Sequence, residues 1–402
     1  MNQHILIIGA GFAGVWSALG AARLLDIAQR DDVRISVLAP QPELRIRPRF
    51  YEPQAHTLKA SVAELFDTVG VAFIAGAAKR IDSAARTVTY QDAQGNAQQL
   101  AYDRLILAAG SNVARPAAVS GLAEHAFDVD QMESAVVLEQ HLKQLAQRPE
   151  SPARNTVVVC GGGFTGIETA TEMPGRLRAA LGRDAQLRVV IVDGGSTVGE
   201  ALGAGITPAI VAASEHAGVE WITGVKVIAV DGNGVTLDNG QHIDSQTVIW
   251  TAGVKASPLT AQVEGERDAF GRLKVDGHLK VVGQDFIYAT GDTAWAAVDD
   301  LGNHALMTCQ HAIPMGRHSG NNAMAELLGV EPVVYRQPKY VTCLDLGDWG
   351  AAYSEGWERE LHLQGQEGKA LKRQINTQWI YPPAADRAAA LAAADPAIPI
   401  VA

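Results

Sequence analysis

The chain has 402 residues, 47% of them hydrophobic and 19% charged, enough for two or three domains with a substantial buried core. Its 33 Lys and Arg stand against 44 Asp and Glu, a formal net charge of -11, which argues against a nucleic-acid binder that works by neutralising phosphates. The three cysteines, Cys160, Cys309 and Cys343, are far apart in sequence and form no CxxC pair, so neither a disulfide framework nor a thiolate metal site is expected. No run reaches the roughly eighteen apolar residues that span a bilayer, and the first residues carry no basic or cleavable leader. The expected location is therefore a reducing cytoplasm, with any membrane contact peripheral and on the inner face.

His4 to Ile8 reads as a buried parallel strand, Ala13 to Ala28 as a helix with an apolar stripe, and Val33 to Leu38 as the next strand. The unit recurs as Thr156 to Cys160, Gly166 to Leu181 and Leu187 to Val192. Each copy is followed by short alternating strands with turn signals, Thr87 to Tyr90 before Gly95 and Val235 to Leu237 between Gly234 and Gly240, which read as small β-meanders. Pro149 and Pro152 mark a hinge into the second unit, and Glu264 to Gly271 the return. From about Val330 the pattern changes, with a strand-like Tyr340 to Leu344 and an alanine-rich tail from Ala384 that reads as a loose helix and an extended end. The expected fold is α/β: two Rossmann-like dinucleotide-binding domains with small β-meanders plus a small C-terminal α+β domain. Expected boundaries are 1–115 with 270–330 for the first domain, 116–269 for the second and 331–402 for the third.

Two glycine-rich turns carry the chemistry. Gly9, Gly11 and Gly14 form GxGxxG between a strand and a helix, and Gly161, Gly163 and Gly166 repeat it. The first glycine permits the turn, the second lets a pyrophosphate reach the main chain, and the third lets helix and strand pack closely at a helix N-terminus. Two dinucleotides are implied. At the end of the strand after the second turn, Asp193 is placed to accept hydrogen bonds from an adenosine ribose, and with no arginine directly after it NADH is favoured over NADPH. The corresponding place in the first unit reads Ala39-Pro40, with Glu43 a few residues later.

The run Tyr102 to Ser111, including Ala109 and Gly110, resembles the strand and turn that close the first half of the FAD domain in two-dinucleotide-binding flavoproteins, and Tyr288 to Asp292, including Gly291, resembles their second FAD motif. The resemblance implies FAD, with Asp292 at the ribityl-phosphate end. It disfavours the disulfide reductases of that superfamily, whose close-spaced redox cysteines are missing. Gly161 to Glu168, Trp250 to Val254 with Gly253, and Lys369 to Lys372 through Ile380 to Pro383 are similar to type II NADH dehydrogenases, which implies electron flow from NADH through FAD to a quinone or quinone-like acceptor. In that family the helix on the quinone side begins AQxAxQ. Cys309 to Pro314 keeps only Gln310 and Ala312 of this pattern, which puts the quinone in doubt.

By the same resemblance Glu168 lies near nicotinamide and flavin and Gln310 touches the ring or the acceptor; His311, an imidazole whose ordinary pKa suits proton transfer near neutrality, is a candidate proton donor to a reduced quinone, or else a structural hydrogen-bond partner. Amides of the helix starting near Thr308 would stabilise a reduced anionic ring. Arg47, within Arg45 to Glu52, is expected at the FAD phosphates or in water, with an anionic acceptor as the other reading. Lys369, Lys372 and Arg373 alternate with Leu371, Ile375, Trp379 and Ile380, as in an amphipathic helix laid on a membrane surface or packed on the protein or a second subunit of a homodimer. Two other readings stay open: a reductase for another electron carrier or a sulfide or thiol, using Cys309 or Cys343, and a nucleotide-bound sensor with little turnover.

Overall fold

The computed structural model describes residues 3–399. The larger sheet has seven strands in the spatial order Ile287–Ala289, Arg104–Leu107, Gln3–Ile8, Val33–Ala39, Ala72–Asp82, Thr87–Asp92 and Ala97–Ala101. The first five are parallel neighbours, with Ile5 opposite both Ile35 and Arg104. Ala72–Asp82 then runs on into an antiparallel meander with the last two. Strands flanked on both sides by parallel partners need cover on both faces, which is why Ile5, Leu6 and Ile7 are all apolar and fully buried.

The second sheet is wholly parallel, in the order Val219–Ile222, Arg188–Val192, Thr156–Cys160 and Thr247–Trp250, with a three-stranded antiparallel meander beside it. A third sheet pairs Val341–Asp345, Ala351–Glu355 and Glu360–Leu363 antiparallel, and the helix Gly365–Gln374 packs on it. These are the two doubly wound units, the meanders and the small α+β unit expected from the sequence. The tail does not hang loose: helix Arg387–Ala393 lies on the first helix, tied by Arg23 to Asp395 at 2.6 Å and Arg387 to Asp26 at 2.7 Å.

The contact that positions the first site is between helices Phe12–Ile27 and Cys309–Leu328. A Cβ on Gly316 would stand 2.5 Å from the Ala13 carbonyl oxygen, one on Gly320 1.9 Å from that of Ser17, and one on Gly20 2.5 Å from that of Arg317. The Ser17 and Ser319 hydroxyls meet at 2.9 Å in the same seam. The two helices run in the same sense, so both N-termini arrive at the end of the sheet where the parallel strands finish.

Gly320→Val should lower the stability of the FAD-loaded protein by about 3 kcal/mol, because the seam has no room for a side chain. Gly175→Ala, in a helix where an added Cβ meets nothing within 4 Å, should be neutral or stabilising by up to about 1 kcal/mol. Urea denaturation of the two variants checks both.

Candidate active site

The two glycine turns are built alike. Gly9 (φ +111°) and Gly161 (φ +116°) hold left-handed backbone that a side chain would strain, and a Cβ on Gly14 or Gly166 would stand 1.9 Å from the carbonyl oxygen of Gly9 or Gly161. At Gly11 and Gly163, by contrast, a Cβ would meet nothing within 4 Å. The middle glycine of each turn thus faces open space at a helix N-terminus, the cradle a pyrophosphate needs. Beside the second turn, the Asp193 carboxylate accepts from the Gly162 amide at 2.5 Å and the Gly195 amide at 2.7 Å, which fixes it at the strand end where a ribose would lie. Thr251, two residues before Gly253, closes the turn by donating to the Cys160 carbonyl at 3.0 Å. The first unit has no such carboxylate: Ala39 ends its strand, and Glu43 is paired with Lys59 at 2.6 Å.

Several residues expected at the first cofactor converge. Asp292 follows Gly291 (φ +61°) in a short helical turn after Ile287–Ala289, and accepts from the Ser111 hydroxyl at 2.6 Å, one residue past the left-handed Gly110 (φ +66°) that follows Ala109. Arg47 reaches the same place, donating to Ser111 at 2.7 Å and Asp292 at 3.2 Å, and pairs with Asp130. Its charge is held between two carboxylates at the mouth of the turn. These groups suit the polar middle of FAD: carboxylate acceptors for ribityl hydroxyls, with a guanidinium beside them for phosphate.

Glu168 stands one turn into the helix Phe164–Leu181 and is buried, its Oε1 accepting from Lys372 Nζ at 2.8 Å and from the Asp345 amide at 3.0 Å. Asp345 in turn accepts from Lys369 at 2.5 Å and from the Tyr51 hydroxyl at 3.1 Å, while Arg176 donates to the Tyr51 carbonyl at 2.9 Å. The glycine-turn helix of the second unit, the loop after Arg47 and the C-terminal sheet and helix therefore meet in one buried polar cluster. Burial pushes the Glu168 carboxyl above its usual range, with Lys372 pulling it down and Asp345 adding to the rise. Burial opposes the charge on Lys372, but Glu168, Cys343 and Asp345 together more than offset that, and the ammonium titrates above its ordinary value. One helical turn on, burial and nearby Asp345 raise the Glu172 carboxyl to about 7.

This cluster corrects the C-terminal reading. Lys372 is not on an outward charged face but inside, 7% exposed, because it neutralises Glu168. The regular helix stops at Gln374 and a π-helical turn, Ile375–Trp379, follows; Ile380 is buried, and only Trp379, 56% exposed, presents a large apolar surface. Tyr51 and Asp345, 294 positions apart, carry no local signal that would bring them together. Glu172 and Arg176 could have been found beside Glu168, since spacings of four put all three on one helix face.

Gln310 lies in the first turn of helix Cys309–Leu328, but its side-chain amide is engaged by the Val341 backbone, donating at 2.7 Å and accepting at 3.2 Å. It couples this helix to the C-terminal sheet. The backbone amides of Cys309 and Gln310 have no backbone acceptor among the described residues and remain the free donors of this helix end. The His311 ring is fully buried, near Tyr340 at 5.7 Å and Trp357 at 6.3 Å, with Nδ1 on the Thr308 hydroxyl at 3.0 Å. Burial, with Arg272 nearby, takes it down to about 3, so it is uncharged at neutral pH; this corrects the expectation of an imidazole tuned to release a proton near neutrality. Burial raises the thiols of Cys309 and Cys343 to about 11, and Cys160 in the core to about 12. Cys309 and Cys343 are unpaired thiols.

Residues 3–316 match the family model of the pyridine nucleotide-disulphide oxidoreductases. An NADH dehydrogenase-like protein of Mycobacterium tuberculosis is 44% identical over 400 residues, covering 98% of each chain. A type II NADH:quinone oxidoreductase of the same species is 28% identical over 358 residues, covering 82% of this chain and 74% of its own. The structure of NDH2 from Plasmodium falciparum in complex with NADH superposes with a TM-score of 0.77 over 98% of this chain and 97% of its own, at 14% identity, a likeness of fold.

Glu168→Gln and Lys372→Met should each cost about 3–5 kcal/mol by leaving the other partner buried and unpaired, and the double variant should cost much less than the sum. A double-mutant cycle in urea measures this. For Glu172, an unfolded carboxyl titrates near about 4.3, so the folded protein, at about 7, holds the proton more tightly. Stability should fall as pH rises between those values, and Glu172→Gln should restore about 1–3 kcal/mol above pH 7 and nothing below pH 4. Thermal melts across pH check the window.

Proposed function

Because the chain belongs to the pyridine nucleotide-disulphide oxidoreductase family and is an FAD- and NADH-binding oxidoreductase, we propose that it passes the two electrons taken from NADH to a quinone or quinone-like acceptor. FAD, when bound, supplies the acceptance of hydride and its onward passage as electrons. The residues of this chain hold and orient. Gly11 and Gly163 offer main chain to the two pyrophosphates, Asp193 accepts from the ribose of NADH, and Asp292 with Arg47 holds the middle of FAD. The unpartnered amides of Cys309 and Gln310 sit at the positive end of a 20-residue helix, where they stabilise negative charge on a reduced ring.

The observation that carries the choice of acceptor is the buried Glu168 and Lys372 pair. Reducing a quinone to a quinol takes two electrons and two protons, whereas hydride brings two electrons and one proton. The second proton has to come through protein or solvent. Burial raises the Glu168 carboxyl above its usual range while Lys372 beside it opposes that rise, and the hydrogen-bonded pair could pass a proton directly to a reduced acceptor oxygen that reaches it. The relative named as a type II NADH:quinone oxidoreductase supports the same reading. Against a sulfide or thiol substrate stands the burial of Cys309 and Cys343, which keeps both protonated at neutral pH. The C-terminal region, with Trp379 outward, is where peripheral membrane contact would be made; among the described residues no helix is long and apolar enough to cross a membrane.

Anaerobic addition of NADH to the FAD-loaded protein should bleach the absorbance near 450 nm, roughly where oxidised flavins absorb, and a short-chain quinone should restore it. Bleaching without restoration by quinone would refute the acceptor and leave the reductase half intact. Without bleaching, the hydride step itself fails.

A further inference from the structure

The cofactor turns open at the ends of the parallel strands, and the opposite rim of the same sheet carries a second concavity. There the starts of Gln3–Ile8, Val33–Ala39 and Arg104–Leu107 meet the turn at residues 83–86 around a cleft of about 730 Å³, within the size range of small-molecule sites. His4, Arg34, Arg86, Gln99, Tyr102 and Asp103 shape it.

In a chain of net charge -11, the two arginines of this cleft, Arg34 and Arg86, form no ion pair among the described residues. Both are held in place by other means. Arg86 adopts left-handed backbone (φ +52°), its carbonyl accepts from the Tyr102 amide at 3.0 Å, and its guanidinium lies 4.8 Å over the Phe286 ring. Arg34 Nη2 lies against the His4 ring, 3.1 Å from Nδ1 and 3.3 Å from Nε2, and His4 Nδ1 is 2.7 Å from the Ala101 carbonyl oxygen. The one carboxylate in the lining, Asp103, is tied through Oδ2 to the His4 amide at 2.8 Å.

Tyr102 forms part of the cleft wall. The residue is 3% exposed, and its hydroxyl is buried without a partner. The geometry points to a second ligand site, distinct from both dinucleotide cradles, that binds a small phosphorylated anion. Arg34 and Arg86 take the phosphate, and Gln99 binds the polar remainder. The concavity favours a soluble phosphomonoester over a lipid headgroup, which shares the same chemistry.

The test uses FAD-loaded protein saturated with NAD⁺, so that both cradles are filled, titrated calorimetrically with ribose 5-phosphate. The expected result is saturable binding with a Kd below about 1 mM, weakened about tenfold or more in the Arg34→Gln/Arg86→Gln variant. That variant should keep its flavin spectrum and its bleaching by NADH. Equal binding by the double variant, or no binding of ribose 5-phosphate, overturns the proposal. Retention on phosphatidylglycerol vesicles alone, dependent on the two arginines, overturns the soluble ligand and assigns the phosphate to a lipid.

Discussion

Two helices drawn from opposite ends of the chain touch backbone to backbone, and the first site depends on that contact. Helix Phe12–Ile27 begins at the first glycine turn and helix Cys309–Leu328 at Thr308; Gly316, Gly320 and Gly20 let them approach until any side chain would collide with a carbonyl. Since they run in the same sense, two sets of unpaired amides and two positive dipole ends arrive at one edge of the sheet. A dinucleotide with a pyrophosphate at one position and a ring that becomes electron-rich at another matches that pair of electropositive points. Gly291, whose Cβ would stand 2.8 Å from that of Ala13, brings Asp292 into the same edge. Larger side chains at these glycines would pry the helices apart and separate the two points.

The second organising element is electrostatic. Glu168 enters on a helix of the second unit, Tyr51 on a loop of the first, and Asp345, Lys369 and Lys372 on the C-terminal sheet and helix. None of these charges would be tolerable in the interior alone. Together they form a cluster whose members require one another, so the C-terminal unit is bonded into the centre of the molecule. The Gln310 side chain makes a similar connection by pairing with the Val341 backbone as though it were another strand.

What the sequence made legible was local. The two glycine turns, Asp193 and the parallel strands are each specified within some 30 residues, because a tight turn, a helix start and a strand end leave a short spacing signature. The roles that depended on distant partners were harder to read. Lys372 looked like a surface charge because its neighbours alternate, and only the fold sets it against a carboxyl about 200 residues earlier. His311 looked titratable because its own residue type is; what makes it neutral is burial, with Tyr340 and Trp357 beside the ring, and the charge of Arg272, none of them near it in sequence. Arg47 and Asp292 were each read as cofactor residues, and nothing in their local sequence says that they meet.

The seam between the first helix and Cys309–Leu328 also bears on how the chain is made. Its two halves lie nearly 300 residues apart, and strand Ile287–Ala289, which borders the first sheet, is almost as late. At translation rates of about 5–20 residues per second, the alanine- and glycine-lined face of the first helix waits on the order of 15–60 seconds for its covering partner. The second sheet closes within a much shorter span of sequence, from Thr156 to Trp250. During synthesis the later unit is therefore the first that can complete its own core, while the N-terminal one stays an open sheet with an uncovered helix face. On the proposed placement of FAD, its acquisition falls after that wait, since the helix end assigned to its ring is among the last pieces of the site to emerge.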